Sequence, residues 1–344
     1  MTRTTASPDQ VMDQILTELG ASLGVLLTAL GLRTGIWQAL AGAGPLTAAE
    51  VAGRTGLVEP YVREWLLAQA AAGYLEYEDG RFTLPEGVAV AVLHAPGGAM
   101  VDACVHMLAA MGAGFAEFEQ AFRGGTGFGW HQRRPEHWCG TDALTRASKD
   151  TALFAGAITA LDGVAEALHN GGKVADIGCG YGAPTRMIAQ AFPEAEVTGF
   201  DYHDQSIAAA RALGGNVWFE VASATNFPGH GYSLVTFVDS LHDLGDPVGA
   251  LTRAREALAP GGAVLLVEPP GAERAEDNFT PLGRMFYSVS TLICTPNALS
   301  QSDEALGTLA GPARLTEVAH AAGFGTVRRI LPDVPMHLLL ELRP

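Results

Sequence analysis

Lysine is nearly missing from this chain. Of 21 basic residues among 344, only Lys149 and Lys173 are lysines, and the formal net charge is −16. So acidic a balance argues against nucleic acid or an anionic membrane surface as the main partner. The lysine scarcity itself reads as coding bias. Cysteine is scarce as well: Cys104, Cys139, Cys179 and Cys294 stand far apart with no C-x-x-C pair. That spacing shows neither a disulfide framework nor a zinc knuckle, and a reducing cytoplasm is the expected compartment. Long apolar runs are absent too. The longest, around Ala21–Leu32, lies between Glu18 and Arg33 and reads as too short to span a bilayer. The opening MTRTTASPDQ lacks the apolar core of a signal peptide. What remains is an ordinary globular composition, 48% hydrophobic and 17% charged, with length for about two domains.

Residues 8–40 carry helical periodicity through Val11, Ile15 and Leu19. Thr47 followed by Glu50 predicts a capped helix that ends at Gly56, and Glu59–Ala72 predicts a second. LEYEDGRFTL then reads as a hairpin turning at Asp79-Gly80. Helix, turn, helix, hairpin is a winged-helix pattern over 1–93, which a DNA reader or a dimerisation domain can use. Charge separates the two. This region holds five arginines and ten carboxylates, whereas a DNA reader needs a basic footprint. The pattern therefore predicts a domain that pairs two copies of the chain. Residues 94–168 read as a glycine-broken helical linker. Its GGTGFGW loop at 124–130 places Trp130, His131 and Arg133 as candidates for a substrate lid.

From 169 to 344 strands and helices alternate. VADIGCGYG at 174–182 is an apolar strand entering a turn with Gly178, Gly180 and Gly182, the way open α/β sheets cradle a nucleotide-like ligand. Gly178, Gly180 and Ala183 also satisfy the looser dinucleotide spacing, so the turn places a ligand without naming it. EVTGFD ends a second strand at Asp201. NVWFEVA, SLVTFVDS and AVLLVEP supply three more. The chain closes with TVRRIL and PMHLLLEL, split by Pro332-Asp333, and so short a connection requires an antiparallel hairpin.

With that closing hairpin, VADIGCGYG, Asp201 and LAPGGAVLLVE, the chain resembles the class I S-adenosylmethionine-dependent methyltransferases. The resemblance implies a seven-stranded Rossmann-like sheet. VDSLHDLGDP at 238–247 is similar to the LHDWxD stretch of small-molecule O-methyltransferases that carry an N-terminal winged-helix dimerisation domain. Here Leu244 stands where that group has tryptophan. The resemblance implies S-adenosylmethionine as cofactor, held by Asp176, Gly178, Cys179, Gly180 and Gly182, with Asp201 on the ribose. Tyr202, Ser223, Ala224, Asp239 and Ser240 would complete the cofactor site. It also implies a homodimer and a small-molecule acceptor.

In that group the histidine is the base, so His242 takes the role, with Glu268 orienting it and Asp243 beside it. Methyl transfer from a sulfonium is an in-line displacement, so alignment matters most. An acceptor that must lose a proton gains about 10²–10⁴-fold from a positioned histidine. A related group that methylates the carbon next to a 2-oxo acid uses a histidine–aspartate pair at this position with a bound metal. In that reading His242-Asp243 hold the metal and Arg133 the substrate carboxylate. The extra histidine that such a site needs is not evident in FYSVSTLICTPNALSQ at 286–301, so no metal is expected. That segment instead offers a substrate wall through Phe286, Tyr287 or Asn297. A ligand-sensing transcriptional regulator is the competing class.

Overall fold

The computed structural model describes residues 7–94, 97–331, 334 and 336–344. The chain divides into two compact units. The first comprises residues 1–109 with 139–148, the second 110–138 with 149–344.

The first unit opens with α1 (Pro8–Thr34), whose start is fixed by a capping box between Ser7 and Gln10. The short helix α2 (Ile36–Leu40) follows the left-handed Gly35. Next come α3 (Ala48–Thr55), capped by Thr47 and Glu50 as the spacing predicts, and α4 (Glu59–Ala71). Strands β1 (Glu76–Glu78) and β2 (Arg81–Thr83) form the wing about Asp79-Gly80. Its core gathers Trp37, Leu40, Val51, Leu66 and Phe82. Trp37 and Trp65 meet edge to face at 4.8 Å, and each indole N–H donates to an α1 carbonyl, Thr28 O at 3.0 Å and Leu27 O at 2.8 Å. A buried indole is thereby satisfied without a polar neighbour. The outer side of α1 is different: Leu16, Leu19 and Leu23 are 58–64% exposed. The helix also exceeds what its apolar run suggests. At 27 residues, with an 18-residue window of mean hydropathy 1.8, it meets the length and composition of a membrane span.

The second unit is built on seven strands: β3 (Lys173–Ile177), β4 (Glu196–Asp201), β5 (Trp218–Val221), β6 (Tyr232–Val238), β7 (Leu258–Glu268), β8 (Thr326–Ile330) and β9 (Leu338–Arg343). Their order is β5-β4-β3-β6-β7-β9-β8. All neighbours run parallel except β9, which is antiparallel to both β7 and β8. The fold is thus α/β with the terminal hairpin the closing residues require; its expected break at Pro332-Asp333 lies outside the described residues. β7 starts at Leu258, before the AVLLVEP run, because Ala259–Gly262 is absorbed by a register shift against β6. β7 is continuously buried from Gly262's neighbour Ala263 to Glu268, as a strand covered on both faces should be. The chain moves outward from β3 through β4 to β5, then returns to lay β6 on the other side of β3. Strand order therefore reverses between β3 and β6, and ligands bind outside the carboxyl ends of strands at such a point.

Candidate active site

Two turns leave the sheet at that reversal. The one after β3 is the glycine turn. Gly178 has φ 73°, and a Cβ there would lie 2.6 Å from the Cβ of Ser240, so only glycine lets the two turns touch. Ser240 Oγ donates to Ile177 O at 2.7 Å, which fastens the second turn to the end of β3. Gly180 has φ 53° and no described atom within 4 Å of an added Cβ, so its outer side is open to a ligand. Its N–H donates to Asp201 Oδ2 at 2.9 Å, while Asp201 Oδ1 accepts from His203 N at 2.9 Å. The glycine turn and the acid at the end of β4 thus form one unit, and burial raises the Asp201 carboxyl.

Asp176 sits differently from the sequence expectation. It is 1% exposed, with its oxygens accepting from Thr185 Oγ1 at 2.6 Å and Thr236 Oγ1 at 2.8 Å. Thr236 is its cross-strand partner on β6. The carboxyl ties β3 to β6 and to the helix after the turn, and burial raises it to about 6. Cys179 is likewise closed off: it packs with Ile207, Ala210 and Phe219, and burial pushes its thiol well up. Ser223 is exposed and Ala224 half-buried beyond β5, where Ser223 Oγ pairs with Thr225.

The second turn, after β6, carries the candidate base. Asp239 enters it in the left-handed region at φ 49°, ion-paired with the buried Lys149. Lys149, Asp239's own N–H donating to Val267 O at 2.8 Å, and Ser240 together fix the bend. A single 3₁₀ turn, Leu241–Asp243, then points His242 inward at 3% exposure. Glu268, at the end of β7 and 2% exposed, binds this turn twice. One oxygen accepts the Leu241 N–H at 3.1 Å and the other accepts a hydrogen bond from His242 Nδ1–H. Burial opposes a charged imidazole, but Glu268 together with Cys294 more than offsets it and holds His242 well above its usual range. Nδ1 is engaged, and Nε2 lies 3.6 Å from Asp243 Oδ1. Cys294 hydrogen-bonds the same imidazole, and burial pushes its thiol up to about 11. His242, Asp243 and Cys294 each bring one donor atom, all within 4.8 Å of one another. Asp243 Oδ1 is buried with no hydrogen-bond partner among the described residues.

Residues 281–299 and the 126–138 segment pack beside this turn, with Asn297 Nδ2 donating to Asp243 O at 3.0 Å. Ser290–Cys294 is a π-helical turn, a form that recurs at functional sites. Arg133 holds it. Its guanidinium donates to Leu292 O, Ile293 O and Phe128 O at 3.0–3.1 Å and stacks on Phe128 and Trp130. At 4% exposure this arginine binds backbone carbonyls, where the sequence reading had it meet a substrate carboxylate. Trp130 is half-buried and its N–H donates to Asn297 Oδ1 at 3.1 Å. His131 is exposed. Tyr287 is half-buried and its hydroxyl accepts from Asn278 at 3.3 Å. Tyr202 donates to Asn297 Oδ1 at 3.1 Å. Sequence reasoning missed Lys149, set aside as one of two lysines, and Cys294, whose apolar neighbours Leu292 and Ile293 give no sign of a polar contact.

Comparison with known proteins agrees with this geometry. Residues 175–264 match a methyltransferase domain model, and residues 21–93 match an Rv2258c-like winged HTH domain. Trans-aconitate 2-methyltransferase of Streptomyces avermitilis is 33% identical over 104 residues, 28% of this chain and 39% of that protein. Acetylserotonin O-methyltransferase of Mus musculus is 32% identical over 186 residues, 49% of this chain and 43% of that protein. The chain thus spans about two-fifths of the length of these curated relatives. Solved structures give the fold along the whole length. An O-methyltransferase-like protein from Nostoc punctiforme superposes with TM-score 0.71 at 18% identity, covering 99% of this chain and 100% of that one. Human N-acetylserotonin methyltransferase in complex with S-adenosylmethionine gives 0.63 at 19% identity, covering 99% of each.

Proposed function

We propose that this chain, which has a methyltransferase domain and fold behind a winged helix–turn–helix domain, transfers a methyl group from S-adenosylmethionine to a small molecule with an acidic O–H or C–H. The observation that carries the reading is the buried Glu268–His242 pair set beside an open glycine turn at the β3/β6 reversal. The cofactor supplies an electrophilic methyl on a sulfonium. Gly180 leaves room for it, and Asp201, already accepting two N–H bonds, keeps lone pairs for the ribose hydroxyls. Glu268 holds the proton on His242 Nδ1 and favours the charged ring, so the base is the form that has lost its Nε2 proton, whose lone pair takes the acceptor's proton. Asp239 and Ser240 hold the turn, while Trp130 and Tyr287 line the acceptor side. Calorimetric titration with S-adenosylhomocysteine tests the first step, and absence of binding would end the proposal.

A second reading is favoured by the His242–Asp243–Cys294 cluster, with its unpartnered Asp243 Oδ1. Those donors suit a soft divalent ion, and Glu268 on Nδ1 is the outer partner that metal-bound histidines usually have. A bound ion would supply Lewis acidity to a 2-oxo acid acceptor, with His242 ligating instead of acting as base. Metal analysis of the purified protein decides: one ion per chain, lost in His242→Ala, supports this reading, and its absence from active protein removes it. A DNA-reading regulator finds less support, since Arg63 on α4 is paired to Glu59 and Glu64. Salt-dependent binding to duplex DNA would revive it. The exposed leucines of α1 suit a second copy of the chain, giving a homodimer in the cytoplasm.

A further inference from the structure

Asn297 is 1% exposed, and its amide bonds three separate parts of the second unit. Oδ1 accepts from the Tyr202 hydroxyl and from Trp130 N, both at 3.1 Å. Nδ2 donates to Asp243 O at 3.0 Å. The orientation of the amide is forced, since a backbone N–H lies on one side and a backbone carbonyl on the other. The three partners have distinct tasks. Tyr202 follows Asp201 at the end of β4, Trp130 belongs to the acceptor wall, and Asp243 closes the turn that carries His242. Gln301 supports the same carbonyl at 3.4 Å, and Phe128 N donates to Pro296 O at 2.7 Å, beside Asn297. A buried polar group bonded on both sides rigidifies what it joins, and cutting one of those bonds is costly.

We propose that Asn297 is a positioning residue that transmits occupancy of the Asp201–Tyr202 edge to the His242 turn, so that the base is placed when the cofactor site is filled. The proposal rests on the methyltransferase reading above. Asn297 touches neither reacting atom; it acts through Tyr202 on one side and Asp243 on the other. Two substitutions cut one arm each. Asn297→Asp keeps the acceptor for Tyr202 and Trp130 but turns an oxygen toward Asp243 O. Tyr202→Phe removes the cofactor-side hydroxyl, which also accepts from Trp130 N at 3.3 Å, while Trp130 N keeps Asn297 Oδ1.

Hydrogen exchange read by mass spectrometry, with and without saturating S-adenosylhomocysteine, tests this on the full chain and needs no acceptor. The amides of Asp243 and Leu244, bonded to Ser240 O and Leu241 O, report the base turn. Those of Gly180 and Gly182 report the glycine turn. In the wild type the ligand slows both sets, the base turn by a coupling factor of about 5–150-fold. In each variant the glycine-turn protection persists while the ligand-induced slowing at Asp243 and Leu244 is lost. The readout is the ligand-dependent difference, which a uniform loosening of the fold does not produce. Equal ligand-induced slowing at the base turn in wild type and variants overturns the proposal. Should Asn297→Asp fail to fold, Tyr202→Phe carries the same test. Failure of the wild type to bind S-adenosylhomocysteine counts against the methyltransferase reading instead.

Discussion

Glu268→Gln separates the two things Glu268 does for His242, charge and orientation. In the native site the largest influence on the imidazole is burial, which opposes its charge. It is overcome by the Glu268 carboxylate together with Cys294. At neutral pH Cys294 is a thiol, since its own value is pushed up to about 11, so it brings no charge. With glutamine in place, the largest influence opposing burial is gone and His242 falls, with Asp243 at 3.6 Å, Asp239 and the Cys294 hydrogen bond left to favour its charge. Glutamine has one oxygen where glutamate has two. If that oxygen keeps the Leu241 N–H, the amide N–H faces Nδ1 and forces the Nε2–H tautomer, which has no lone pair for the acceptor. Two consequences follow in opposite directions. The pH at which activity rises shifts downward, because the imidazole no longer has to lose a tightly held proton. The plateau drops by about 10²–10⁴-fold, the contribution of a general base. Stability follows the same sign. In the wild type the raised His242 contributes stability that is full below pH ~6.5 and lost as pH climbs through its folded value; the variant lacks that alkaline loss. Long-range ¹⁵N correlation spectra of the histidine rings read both charge and tautomer without any acceptor. A His242 ring still charged above pH 7 in Glu268→Gln would refute the assignment of its charge to Glu268.

Other sites yield further expectations. Asp176 has a folded value of about 6 against an ordinary value of 3.8. As a raised acid it is favoured protonated in the fold and costs stability as pH rises from ~4 to ~6, about 3 kcal/mol in full. Asp176→Asn, able to bond both Thr185 and Thr236, raises the melting temperature at pH 7.5 and loses that advantage near pH 4; scanning fluorimetry across pH reads it, and an unchanged difference refutes it. Gly178→Ala sets a Cβ 2.6 Å from Ser240 and demands left-handed backbone, so S-adenosylhomocysteine affinity falls at least tenfold by calorimetry. Leu19→Glu with Leu23→Glu on α1, positions 58% and 64% exposed, removes apolar area worth about 1.5–3 kcal/mol per leucine if a second copy covers it. Light scattering then shows monomers where the wild type shows dimers, and a monomeric wild type refutes the pairing.

Much of this site was legible because its signals are local. A strand followed by three glycines, an acid at the next strand's end and a histidine in LHDLGDP each announce themselves within ten residues, and the β3/β6 reversal brings them together. The winged helix was legible for the same reason, through the Thr47–Glu50 cap and the Asp79-Gly80 turn. What the sequence hides is which donors and acceptors the fold engages elsewhere. Asp176 stands inside the glycine motif, yet its carboxyl is buried, where Thr236 on a strand 60 residues away donates to it. Arg133 looks free in a loop of polar residues, but its three hydrogen bonds go to carbonyls at Phe128 and at Leu292–Ile293, which a π-helical turn leaves open. Lys149 and Cys294 carry no pattern of their own, and each acquires a role only from a carboxylate or imidazole more than fifty positions distant. Local pattern therefore names the turns and acids gathered at the β3/β6 reversal, while the residues that hold those in place are set by long-range hydrogen bonding. Asn297 is the sharpest instance: in sequence a candidate wall residue, in the fold the one amide that Tyr202, Trp130 and Asp243 share.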